Sequence, residues 1–96
     1  MNREKLLYLM EHMDWYIEQL VYDVLEDSEE DPEYSAVTAS NLIKAYLEVM
    51  TQLEEKPAYS DLRSYFEANC LSEEEYERFC RKMEAEKEYY PGTIFE

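Results

Sequence analysis

Glycine is nearly missing from this chain. Gly92 is the only one, and proline occurs only at 32, 57 and 91. So few breakers leave long uninterrupted stretches, and no run of alternating Val, Ile and Thr fills them as strand. Histidine is down to one, His12, and cysteine to two, Cys70 and Cys80. There is no Gly-rich phosphate loop, no nucleophile elbow and no Cys/His metal spacing. No Glu-x-x-His pair is present, which removes di-iron bundle chemistry. These absences point away from an enzyme, and no catalytic residue, metal ligand or cofactor is assigned. His12 reads as a solvated side chain. No apolar run is long enough to span a membrane. The start, "MNREKLL", turns amphipathic at once and lacks the apolar segment of an export signal. Two cysteines without such a signal read as reduced, buried thiols of a cytoplasmic protein.

Basic residues are scarce as well. Nine Lys and Arg stand against 24 Asp and Glu, a net charge of −15. Between Lys5 and Lys44 there are none, while ten carboxylates lie from Glu11 to Glu33. Such a chain repels nucleic acid and anionic membranes. It fails the first test of a nucleic-acid reader, a basic face. If the charge serves a function, the partner is basic. The stretch "DSEEDPEY" is charged like a cation loop but lacks the EF-hand glycine and terminal spacing, so no metal is assigned to it.

What is present is apolar and aromatic. The 96 residues are 46% hydrophobic and include ten Tyr, three Phe and one Trp, which argues for a folded core. The length suits one domain over 1–96, with an acidic loop at 27–35 and a C-terminal tail at 91–96. Asn2 can cap a first helix of about residues 3–26. A second helix starts near Ser35 or Thr38 and runs to about Glu55, ended by Lys56-Pro57. Ser60 caps a short third helix. Ser72 and Glu75 form a capping box for a fourth, about 73–89, closed by Pro91-Gly92. Ile94 and Phe95 of the tail can dock back. Short connections predict an all-α, small antiparallel four-helix bundle with a short third helix. On the fourth helix, Glu74 with Arg78 and Glu77 with Arg81 are i,i+4 pairs that compensate one another. The uncompensated charge is then on the first helix and the loop after it.

The first helix carries two heptad series. Leu6, Met10, Met13, Ile17, Leu20 and Val24 fall within about 40° of one direction, at about 100° per residue, and predict the core face. Tyr8, Trp15 and Tyr22 fall about 160–200° away. Glu4, Glu11, Glu18 and Glu26 interleave with them. Tyr and Trp anchor interfaces, and neighbouring carboxylates set the sign of the partner. Three readings stay open for this stripe: a partner-binding face, a homodimer or doubly packed helix, or scattered surface aromatics.

The stretch "EEKPAYSDLRSYF" resembles the colicin-type DNase immunity proteins, small acidic four-helix proteins with a short third helix after a proline. The resemblance rests on Pro57, Ser60, Asp61 and Leu62, followed by Tyr65 and Phe66. The family's paired tyrosines come one residue sooner. The resemblance implies that Asp61, Tyr65 and the acidic second-helix region clasp a basic nuclease. The resulting expectation is a small acidic inhibitor. It masks the nucleic-acid-binding surface of a basic nuclease or effector complex, as nucleic-acid mimics of the anti-CRISPR or toxin-immunity kind do. The expected contacts are Tyr8, Glu11, Trp15, Glu18, Tyr22, Glu26, Glu29, Glu30 and Asp31, with Asp61 and Tyr65 as a second site. The alternative is a scaffold protein that homodimerises through the aromatic stripe.

Overall fold

In this computed structural model the described residues are 2–89. They form four helices: α1 (Arg3–Glu26), α2 (Ala36–Gln52), α3 (Leu62–Ala68) and α4 (Glu73–Tyr89). The proposed Pro91-Gly92 stop and the Ile94–Phe95 tail lie outside the described residues. Among the described residues there is no strand, and no helix is long and apolar enough to cross a membrane.

Each helix begins where a side chain takes up its free amides. Asn2 Oδ1 accepts from Lys5 N at 2.9 Å. The Ser35 hydroxyl accepts from Thr38 N at 3.0 Å. The third helix departs from expectation by one residue, because Asp61 and not Ser60 is its cap. Asp61 Oδ1 accepts from Ser64 N while Ser64 Oγ accepts from Asp61 N, a reciprocal box. Ser72 and Glu75 close the same box at the start of α4.

Two helices end on left-handed residues that are not glycine. Glu54 has φ 60° and Cys70 φ 58°. In both, the two residues past the cap bond back in the paired pattern that satisfies the last carbonyls. Glu54 N reaches Thr51 O and Glu55 N reaches Met50 O; Cys70 N reaches Glu67 O and Leu71 N reaches Phe66 O. A Cβ in this conformation costs about 1–2 kcal/mol, and glycine's extra unfolded entropy returns about half of that. Cys70→Gly and Glu54→Gly should therefore each stabilise the fold by about 0.5–1 kcal/mol. A urea midpoint that fails to rise would show that these turns carry no strain. Cys70 is also exposed and Cys80 half-buried, so the expected pair of buried thiols is corrected. The cause is the turn itself, which puts Cys70 outside the last turn of α3.

One core joins the helices. The heptad face of α1 lies in it, with Ile17 and Val24 fully buried and Leu6 and Met13 at its margin. Val21 and Leu25 widen the buried face toward the end of α1. Its centre is a run of aromatic rings: Tyr46, Tyr59, Tyr65, Phe66 and Phe79, each 4.9–6.0 Å from the next. Tyr59 anchors this run by donating its hydroxyl to Asp14 at 2.9 Å. Burial, and then this bond, push the Tyr59 pKa far up.

Candidate partner-binding face on helix α1

Folding buries one side of α1 and leaves the opposite side open. Tyr8 is 61% exposed, Trp15 63% and Tyr22 61%. Glu4, Glu11, Glu18 and Glu26 are exposed between them. At about 1.5 Å per residue, the three rings stand about 10 Å apart along the helix. His12 Nδ1 lies 3.1 Å from the Tyr8 carbonyl, and its ring sits 4.4 Å from the Tyr8 ring. A carbonyl only accepts, so the contact selects the Nδ1–H form and steadies Tyr8. At the other end Glu26, by hydrogen bonding and then by charge, raises the pKa of the Tyr22 phenol.

The exposed apolar surface is broader than the stripe read from sequence. Leu9 and Tyr16 are also exposed. They too are seven residues apart, about 100° from Trp15, and that spacing was the available signal. Together Tyr8, Leu9, Trp15, Tyr16 and Tyr22 make α1 the main site of exposed large apolar side chains among the described residues.

The acidic loop is more ordered and less isolated than its composition suggests. Asp27 Oδ2 accepts from Glu33 N at 2.7 Å and Tyr34 N at 2.9 Å, and Oδ1 accepts from Ser28 N. The bond from Tyr34, ahead of the others, lowers the Asp27 pKa. Ser28 Oγ holds the amides of Glu30 and Asp31. Both of those side chains remain exposed. Glu29, however, faces Arg78 and Arg81 of α4, each at 3.8 Å. The expected i,i+4 partners on α4 are therefore not the ones these arginines reach, and the loop charge is partly compensated. A third cation, Lys82, is only 8% exposed. Its ammonium donates to the Val24 carbonyl and, at 2.6 Å, to the Asp27 carbonyl. It thus serves the open carbonyls at the end of α1, where positive charge is favoured. Glu86 completes this side by accepting from Ala36 N at 2.7 Å and Val37 N at 3.2 Å at the start of α2.

The second expected site, Asp61 and Tyr65, is largely engaged within the fold. Tyr65 is 2% exposed and packs edge-on between Tyr59 and Phe66, so a partner meets almost none of it. Asp61 is exposed, but its carboxylate caps α3, and the Ser64 amide bond is the main reason its pKa is lowered. Arg63, two residues further on, is also used internally. It holds both oxygens of Glu73, at 2.7 and 2.8 Å, and lies 4.9 Å over the Tyr76 ring.

No family model, curated protein or solved structure matches the chain. Among the described residues, no group of three or more His, Cys, Asp or Glu is placed to hold a metal ion.

Proposed function

We propose that the protein is an inhibitor that covers the nucleic-acid-binding surface of a basic protein with the outer face of α1. The reading takes the four helices as an antiparallel bundle with α3 as its stub, acting in the cytoplasm against a nuclease or effector complex. The observation that carries it is Trp15, 63% exposed between Glu11 and Glu18, on a face where the chain has no Lys or Arg from Lys5 to Lys44. Exposed Tyr and Trp supply contact area at small entropic cost, and carboxylates beside them stand where phosphates would. Glu30 and Asp31 extend the same sign onto the loop. The likeness to immunity proteins supports the class of target.

A homodimer through the same face is the second reading, favoured by the extra apolar width from Leu9 and Tyr16. It meets a physical obstacle. A two-fold interface sets the same patch on itself, so carboxylates of the stripe meet carboxylates of its copy. On a chain of charge −15 that repulsion opposes pairing.

Trp15 is the only tryptophan, so its fluorescence separates the two readings. Red-shifted, readily quenched emission at every dilution is expected of the inhibitor. Emission that starts blue and turns red on dilution identifies a dimer and removes the inhibitor's main anchor. Against a captured basic partner, Trp15→Ala should weaken binding by about 2 kcal/mol, near thirtyfold. Glu18→Lys with Glu30→Lys should act mainly on the association rate. Affinity indifferent to these changes and to salt would refute masking.

A further inference from the structure

A cleft of about 360 Å³ opens beside the C-terminal half of the α1 stripe, toward α3 and α4. Its buried lining is Val21, Leu25 and Tyr65. Its outer lining includes Tyr22 and the carboxylates of Glu18, Glu26 and Glu75. The volume is at the small end of ligand pockets, which run about 300–1,000 Å³, and suits one long side chain rather than a cofactor.

Two polar groups inside the lining have unused capacity. Tyr65 is 98% buried, since 2% of it is exposed, and what remains of its surface opens here. Among the described residues, its hydroxyl has no hydrogen-bond partner. Burial, with Glu18 and Asp14 nearby, raises its pKa, so the phenol stays neutral and keeps its lone pairs for a donor. Glu75 spends one oxygen on Ser72 N. The other carboxylate oxygen remains for a second donor. Arg78 also lines the cleft; its Nη2 donates to the Asp27 carbonyl at 3.3 Å and its guanidinium lies 3.8 Å from Glu29, while its buried Nε has no hydrogen-bond partner. Three carboxylates against one arginine leave the cleft negative.

We propose that this cleft takes an arginine side chain of the basic partner. The aliphatic stem lies on Val21 and Leu25, the guanidinium plane stacks on Tyr22, and its forked donors reach Glu18, Glu26 and the Tyr65 hydroxyl. An arginine is the occupant because it alone joins a planar cation to five donors. The cleft is continuous with the stripe through Glu18, Tyr22 and Glu26, so one partner surface reaches both. The proposal rests on the masking function above and adds to it the side chain that fixes the partner's register.

The test titrates the full isotope-labelled chain with N-acetyl-arginine methylamide and follows backbone amide shifts. Saturating shifts confined to Val21, Tyr22, Leu25, Tyr65 and Leu71 are expected, in the millimolar range suited to so small a probe. The neutral citrulline analogue should bind at least about fivefold more weakly, because it lacks the charge-assisted bonds. The Glu18→Gln/Glu26→Gln variant should lose a similar factor. Both positions are exposed, so the fold is unaffected. Equal shifts from citrulline, or non-saturating shifts spread over the surface carboxylates, would overturn the cleft. Tyr8 and Trp15 lie outside it. If the cleft fails while Trp15→Ala still weakens partner capture, the cleft alone is lost; if the probe binds and Trp15→Ala is silent, the stripe is lost and the cleft stands.

Discussion

Phe66→Ala should remove about 3–5 kcal/mol of stability, the largest loss expected from a single substitution here. Phe66 is 2% exposed and stands where α3 meets α4. Its ring centroid is 5.8 Å from Tyr65 of α3, 5.3 Å from Tyr76 and 5.2 Å from Phe79 of α4, all edge-on. Truncation leaves a void that those rings cannot close without leaving their own contacts, so a cavity adds to the lost transfer energy. A 96-residue domain has about 5–14 kcal/mol in total. Between about a fifth and all of the margin therefore goes with one ring. Phe66→Leu, which keeps most of the volume, should cost only about 1–1.5 kcal/mol. Urea unfolding by circular dichroism reads both. A shift of the midpoint at constant slope is the expected signature, and equal losses for Leu and Ala would show that the site is not close-packed.

Lys82→Met should cost about 2 kcal/mol and loosen one region more than the rest. Methionine keeps the length and the apolar stem but cannot donate. The Val24 carbonyl then depends on Asp27 N at 3.3 Å, and the Asp27 carbonyl on Arg78, also at 3.3 Å. Bonds from a charged donor contribute about 1.5–3 kcal/mol each, and relief of the buried ammonium offsets part of that sum. Burial is the main reason the Lys82 pKa is lowered, and Arg78 adds to it, while Asp27 and Glu29 work in the opposite sense. Amide exchange should quicken over residues 27–34, which hang from Asp27, before it quickens in the aromatic core. Uniform acceleration, or none, would show that Lys82 does not hold the loop. Because Glu30 and Asp31 are aimed by that loop, the same variant should slow association with a basic partner and leave the Trp15 anchor in place.

Helix α1 and both of its faces were legible in the sequence because 24 residues give the 3.6-residue period nearly seven turns in which to declare itself. The capping box at Ser72 and the cap at Asn2 were legible for a different reason, since the bonds involved span only three residues, whereas the start of α2 was left between Ser35 and Thr38. Helix α3 has seven residues, too few turns to separate a core side chain from a contact residue, so Tyr65, read as buried with Leu62 and Phe66, was also counted among the partner contacts. Ser60 and Asp61 are both good caps side by side, and only the backbone decided between them. Lys82 was the least legible. A lysine on an amphipathic pattern reads as solvent-facing, and its acceptors are 55 and 58 residues away in the chain. Arg78 and Arg81 were paired locally by rule, whereas the folded chain brings Glu29 to them. Distant partners leave no spacing in a sequence.

The length of α1 sets a limit on how far it can imitate a duplex. Its 24 residues span about 36 Å, roughly one turn of B-form DNA. Over that distance a duplex presents about 21 phosphates, whereas the outer face of α1 offers Glu4, Glu11, Glu18 and Glu26. With so few carboxylates the helix has few condensed counterions to release when a partner exchanges DNA for it. Binding through α1 should then fall less steeply with salt than the partner's hold on DNA, and the advantage of the protein over its nucleic-acid competitor should widen as ionic strength rises.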